Sequence, residues 1–102
     1  MSDTDTQLRP TVIASIKSLF EPEDRETVTE ILVEESNAER LYTTSADAVE
    51  RIQLAVLKLS NGEVDKFLAA AELAQLDWRD VLVASGFGSD LKAHLKWADE
   101  TR

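Results

Sequence analysis

The stretch VERIQLAVLKLSNG, residues 49–62, constrains the fold more than any other part of the chain. Val49, Ile52, Ala55, Val56 and Leu59 recur at helical spacing while Leu54 and Leu57 lie off that stripe, so apolar side chains extend around much of the cylinder. A helix with so little polar surface must be covered on most sides. Asn61-Gly62 then supplies residues that tolerate the left-handed conformation in which helices commonly end. The segment predicts a central helix, a tight turn, and a fold in which everything else packs around it.

The flanking segments read as helices that could do this covering. Leu8, Val12, Ile16, Leu19 and Phe20, widened by Ile13, predict an amphipathic helix over residues 9–20, with Pro10 in the first turn where its missing N–H costs nothing. Glu21-Pro22 ends that helix, because a residue before proline is driven out of the helical region. Pro22 suits the start of a second helix whose early acids Glu23, Asp24 and Glu26 complement the helix dipole. Its apolar stripe of Val28, Ile31 and Leu32, continued by the stem of Glu35, is narrow, and its β-branched residues make it the helix that comes closest to reading as a strand. Residues 36–44 read as the longest loop, pinned to the core by Leu41 and Tyr42. Ser45, or Thr44 with Asp47 three residues on, caps the central helix. Val64, Phe67, Leu68, Ala71 and Ala74 mark a fourth helix returning antiparallel, and two short helices follow over about 78–85 and 90–99. The segments LKLSNGEVDKFL (57–68) and LVASGFGSDLKAHL (82–95) echo one another as a repeated helical hairpin, a single echo that falls short of a solenoid.

The fold class expected is therefore all-α, a compact bundle of five to six short helices. With 102 residues, one domain over 9–102 follows a disordered tail over 1–8. The chain has no cysteine, which removes disulfides, thiolate chemistry and cysteine-ligated metals, and leaves packing to hold the fold. The N-terminus has neither a basic nor an apolar signal region, and no apolar run approaches a membrane span. A cytoplasmic protein with no membrane partner is the expectation.

The most motif-like stretch is DWRDVLVASGFGSD, residues 77–90. Its spacing follows from helix punctuation. Asp77 caps a helix starting at Trp78, Gly86 is the left-handed residue after it with Phe87 folding back on Val81 or Leu82, and Ser89 caps the last helix with Asp90 in its first turn. A phosphate-binding loop would need its glycines after a strand, and here Gly86 and Gly88 follow a helix. Ser89 and Lys92 match a Ser-x-x-Lys spacing, but in a chain without the larger fold and further motifs of such enzymes. His94 is the only histidine, too few nitrogen ligands for a zinc site, and reads as structural or exposed. No catalytic set, cofactor site or metal-ligand set emerges.

Charge is the remaining signal. Residues 1–50 hold 12 acids against 4 bases and residues 51–102 hold 8 against 7. Between residues 21 and 39 there are eight acids and one base, Arg25. Such a surface repels phosphate backbones and disfavours nucleic acid. Glu23, Glu26, Glu30 and Glu34 share one helical face, where like charges repel unless something compensates them. The leading reading is a non-enzymatic interaction or regulatory module that meets a protein partner with a basic surface through residues 21–39. Trp78, Arg79, Phe87 and Trp97 form a second candidate surface, with the aromatic rings lining a groove between the last two helices. Two alternatives use the same residues: a small metal-dependent hydrolase built on the Glu23/Glu26/Glu30/Glu34 carboxylates, and a homo-oligomer joined through Trp78, Phe87 and Trp97.

The run ERIQLAVLKLSNG (50–62), followed by DWRDVLVASGFGSDLKAH (77–94), resembles a group of small bacterial helical proteins with no assigned function. The resemblance covers roughly the C-terminal half of the chain. It implies a bacterial, cytoplasmic protein and transfers no catalytic residue.

Overall fold

The computed structural model describes residues 8–43, 45–90 and 92–101. Among them are five helices: α1 (Pro10–Leu19), α2 (Pro22–Glu35), α3 (Ala46–Ser60), α4 (Val64–Ser85) and α5 (Ala93–Glu100). No strand occurs among the described residues, and the β-branched run in α2 is helical. The central position of α3 follows from its composition. Ile52, Leu54, Ala55, Val56 and Leu57 are all within 1% of complete burial, and α3 packs against α1, α4 and α5 while α2 covers α1 and α4. Side chains from every helix join one core, from Val12 and Ile16 through Val28, Leu32 and Phe67 to Ala98. A Cα radius of gyration of 12.0 Å matches the value near 13 Å of a compact chain this long, so the helices form one body.

The helix ends follow the local chemistry read from sequence at most positions. Arg9 and Glu21 precede prolines and adopt extended backbone, as pre-proline residues must. Ser45 caps α3 by accepting from the Ala48 N–H at 3.1 Å; its rival Thr44 lies outside the described residues. Asn61 and Gly62 are both left-handed, with φ of 50° and 78°. Asp77 is extended within α4, at φ −158° and ψ 93°, and its side chain accepts from the Arg79 N–H at 3.1 Å. The residue therefore does cap a helix beginning at Trp78, and α4 is two helical segments joined across a kink at Asp77. At Gly86, φ is 84°. The Gly86 N–H donates to Val83 O at 3.1 Å and the Phe87 N–H to Leu82 O at 2.9 Å. That bond pair is the Schellman stop, and it turns Phe87 back onto the core.

Three local expectations are corrected. Tyr42 does not pin the loop: Leu41 is fully buried but Tyr42 is 90% exposed. The reason is a second Schellman stop, in which the Thr43 N–H donates to Ala38 O at 3.0 Å and the Tyr42 N–H to Glu39 O at 3.3 Å. Tyr42 occupies the left-handed position at φ 55°, which directs its ring outward. Ser89 does not cap the last helix. Asp90 instead forms an Asx turn ahead of it, its side chain accepting from the Lys92 N–H at 2.8 Å, and α5 starts at Ala93 rather than at residue 90, with no side-chain cap. At the other end of the chain, the expected tail over 1–7 lies outside the described residues, while Leu8, assigned to that tail, is buried at 5% exposure.

Two bases one heptad apart on α3 hold the α4–α5 connection in place. Arg51 donates from its Nη2 to Phe87 O. Lys58 donates to Ser85 O at 2.7 Å and sits 4.9 Å from the centre of the Phe87 ring. Ser85 O, left over at the end of α4, and Phe87 O just beyond it are thereby satisfied by cations, which also complement the negative end of the helix dipole.

Candidate functional site

The four glutamates of α2 do share one face. At about 100° per residue, positions 23, 26, 30 and 34 fall within an arc of roughly 80° that spans about 16 Å of axis, with Val28 and Leu32 on the opposite side. All four are exposed, and Val28 and Leu32 are fully buried. None of the four takes part in an ion pair among the described residues. Arg25, the one base of the segment, does not neutralise them. Its Nε donates to Phe20 O at 3.0 Å and its Nη2 to Lys17 O at 2.9 Å, so its charge is directed inward to cap the end of α1. Glu35, next along the helix, turns to the core side and accepts from Gln75 Nε2 of α4 at 3.1 Å. What is left is a ribbon of carboxylates with no internal counter-charge, followed within one short turn by the exposed ring of Tyr42.

The aromatic group separates into different environments. Phe87 is only 2% exposed, with its ring 6.0 Å from Trp97 and 6.2 Å from His94 between centroids. It belongs to the core and cannot meet a partner, because the Schellman turn folds it inward. Trp97 is half-buried against it. Trp78 is half-buried elsewhere, covered by the guanidinium of its neighbour Arg79 at 5.6 Å from the ring centre. The three rings do not line one open groove, so the geometry gives no support to oligomerisation through them. Nor do the α2 carboxylates converge: no group of three or more His, Asp or Glu side chains among the described residues is arranged to hold a metal ion. Ser89, outside any helix, is not placed one helical turn from Lys92.

A polar cluster that the sequence does not announce lies where the N-terminal ends of α1 and α3 meet α5. Arg9 donates to Asp47 at 2.7 Å and to Glu50 at 3.0 Å, and Thr11 donates its hydroxyl to the other Glu50 oxygen. Glu50 is a carboxylate only 7% exposed, and both its oxygens are satisfied, as burial of a charge requires. The two carboxylates hold the Arg9 guanidinium even above its ordinary value. Beside this cluster a cleft of about 490 Å³ opens, lined by Arg9, Asp47, Glu50, Arg51, Lys92 and His94 among others. His94 is 5% exposed and its Nδ1 is sealed from solvent without a hydrogen-bond partner. Burial disfavours its charged form and holds the imidazole below its ordinary value. These residues come from positions up to 85 apart in the chain, counted from Arg9 to His94, and a lone histidine gave no spacing by which to find them.

No helix among the described residues is long and apolar enough to cross a membrane. No protein-family model, curated protein or solved structure matches the chain.

Proposed function

We propose that the protein is a non-enzymatic interaction module of the bacterial cytoplasm, and that it captures a protein partner carrying a basic segment along the exposed face of α2. The observation that carries this reading is the orientation of Arg25. The single base within the acidic segment is bound to the carbonyls of Lys17 and Phe20, so Glu23, Glu26, Glu30 and Glu34 keep their charge unopposed on one face. Like charges at these spacings each cost a helix roughly 0.2–0.5 kcal/mol, a penalty that a basic partner removes. Electrostatic complementarity of this kind contributes more to encounter rate and selectivity than to raw affinity.

Tyr42 adds to the reading. A bulky residue in the left-handed region is strained, and such strain concentrates at binding and switching sites. Here it displays an aromatic face close in the chain to Glu39, the last acid of the segment, whose carbonyl accepts from the Tyr42 N–H, and an aromatic face attracts cations.

Affinity capture from a native lysate, run in parallel with the E26K/E30K/E34K variant, tests the reading. Specific capture by the wild type should be lost in the variant while its helical circular-dichroism spectrum stays unchanged. Equal capture by both proteins would refute it.

A further inference from the structure

The cleft beside α5 has unequal walls. On one side, Arg9 is held through its Nη1 by Asp47 and Glu50, and Glu50 by Arg9 and Thr11. Together Arg9, Asp47 and Glu50 carry one negative charge in excess. On the other side stand Arg51 and Lys92, neither of which has a carboxylate partner among the described residues. Arg51 makes a hydrogen bond to Phe87 O through Nη2, and its Nε is buried without a partner. The cleft is also lined by His94, more than nine-tenths buried. With its Nδ1 sealed, Nε2 is the nitrogen through which the ring can meet a ligand.

Arg51 and Lys92 line the cleft together with the buried imidazole of His94, and the Arg51 Nε has no partner of its own. We infer that this cleft binds a small organic carboxylate that carries a hydrogen-bond donor at its far end, an amino acid or hydroxy acid. Its carboxylate meets Arg51 and Lys92, a planar guanidinium being matched to a carboxylate. His94 Nε2 supplies a neutral hydrogen bond. The ammonium or hydroxyl at the other end faces Asp47 and Glu50, whose remaining lone pairs accept from it. The same two carboxylates oppose a dianion, which selects a carboxylate over a phosphate. The volume of about 490 Å³ lies within the range of small-molecule sites. This site is independent of the α2 face and stands or falls separately from it.

The test is an NMR titration of the ¹⁵N-labelled protein with serine, with lactate and with inorganic phosphate as separate probes. Serine or lactate should give saturable shifts confined to the amides around Arg51, Lys92 and His94 and to the His94 ring, with a dissociation constant of about 10 mM or tighter. Lys92 is exposed, so K92Q keeps the fold and should weaken binding at least tenfold, and R51Q should do the same. Absence of localised shifts with both organic acids, undiminished binding in K92Q and R51Q, or phosphate binding as well as either acid would each overturn the assignment.

Discussion

Replacing Gly62 by alanine should be among the most damaging single-methyl changes available in this protein, and the structure allows its cost to be divided into parts. Gly62 sits at φ 78°, and a Cβ built on it would lie 2.6 Å from the carbonyl oxygen of Leu19. The left-handed backbone alone costs an L-residue roughly 1–2 kcal/mol. The second part is steric. The obstructing atom is backbone at the end of α1, so no rotamer change relieves it, and forced displacement of packed elements costs about 1–3 kcal/mol. Alanine also stiffens the unfolded chain, which offsets about 0.4–1 kcal/mol. The net loss is about 3 kcal/mol, a fall in Tm of roughly 10–25 °C for a domain of this size. Gly86 provides the internal control. It has a similar φ of 84°, but its added Cβ would meet only the flexible Lys58 Nζ, at 3.8 Å. G86A should therefore cost about 1 kcal/mol, from backbone strain alone. Urea melts of both variants, compared at unchanged m-value, isolate the steric part. Equal losses for G62A and G86A would refute the close approach of the α3–α4 turn to the end of α1.

Two further perturbations probe the loop and the polar cluster. Y42G should raise stability by up to about 1 kcal/mol, because glycine occupies the left-handed position without strain and the exposed tyrosine ring contributes no burial there; a thermal melt showing destabilisation would argue against the Schellman stop at Tyr42. Acidification should also destabilise the fold through His94. Burial holds its folded-state value below the ordinary 6.5, so as pH falls through that value the unfolded chain takes up a proton that the folded protein resists. This contribution is complete above the unfolded value and is lost as pH falls toward the folded one. Thermal melts between neutral pH and about pH 5 should show a smaller decline in H94Q than in the wild type; parallel declines would mean that His94 is not the group responsible.

How far the fold can be read from the chain depended on the range of the interaction concerned. Asp77, Gly86 and Asn61-Gly62 were legible because a cap or a left-handed stop is decided within a few residues by chemistry that only some side chains provide. The burial of α3 was legible because apolar residues surround it. Tyr42 was misread as an anchor because the stop it occupies normally announces itself with glycine or asparagine, and nothing in Arg40-Leu41-Tyr42-Thr43 does so. At Ser89-Asp90 the carboxylate forms an Asx turn to Lys92, and α5 begins only after it, at Ala93, without the side-chain cap that Ser89 would have supplied. The shared face of the α2 glutamates followed from helical spacing, but the inward turn of Arg25 depends on where α1 ends in space. The cleft was invisible for a stronger reason. Arg9, Glu50 and His94 belong to three separate helical regions, and their relation exists only once α1, α3 and α5 have packed.

The central claim is that unopposed carboxylates on α2 attract a basic partner, and its most direct test is the salt dependence of that partner's affinity. The partner's dissociation constant should be measured from about 0.1 M to about 1 M salt, over which the Debye length contracts from roughly 10 Å to 3 Å. The wild type should lose at least tenfold in affinity across that range, with the loss expressed mainly as slower association. An affinity that stays constant across the range would contradict the account.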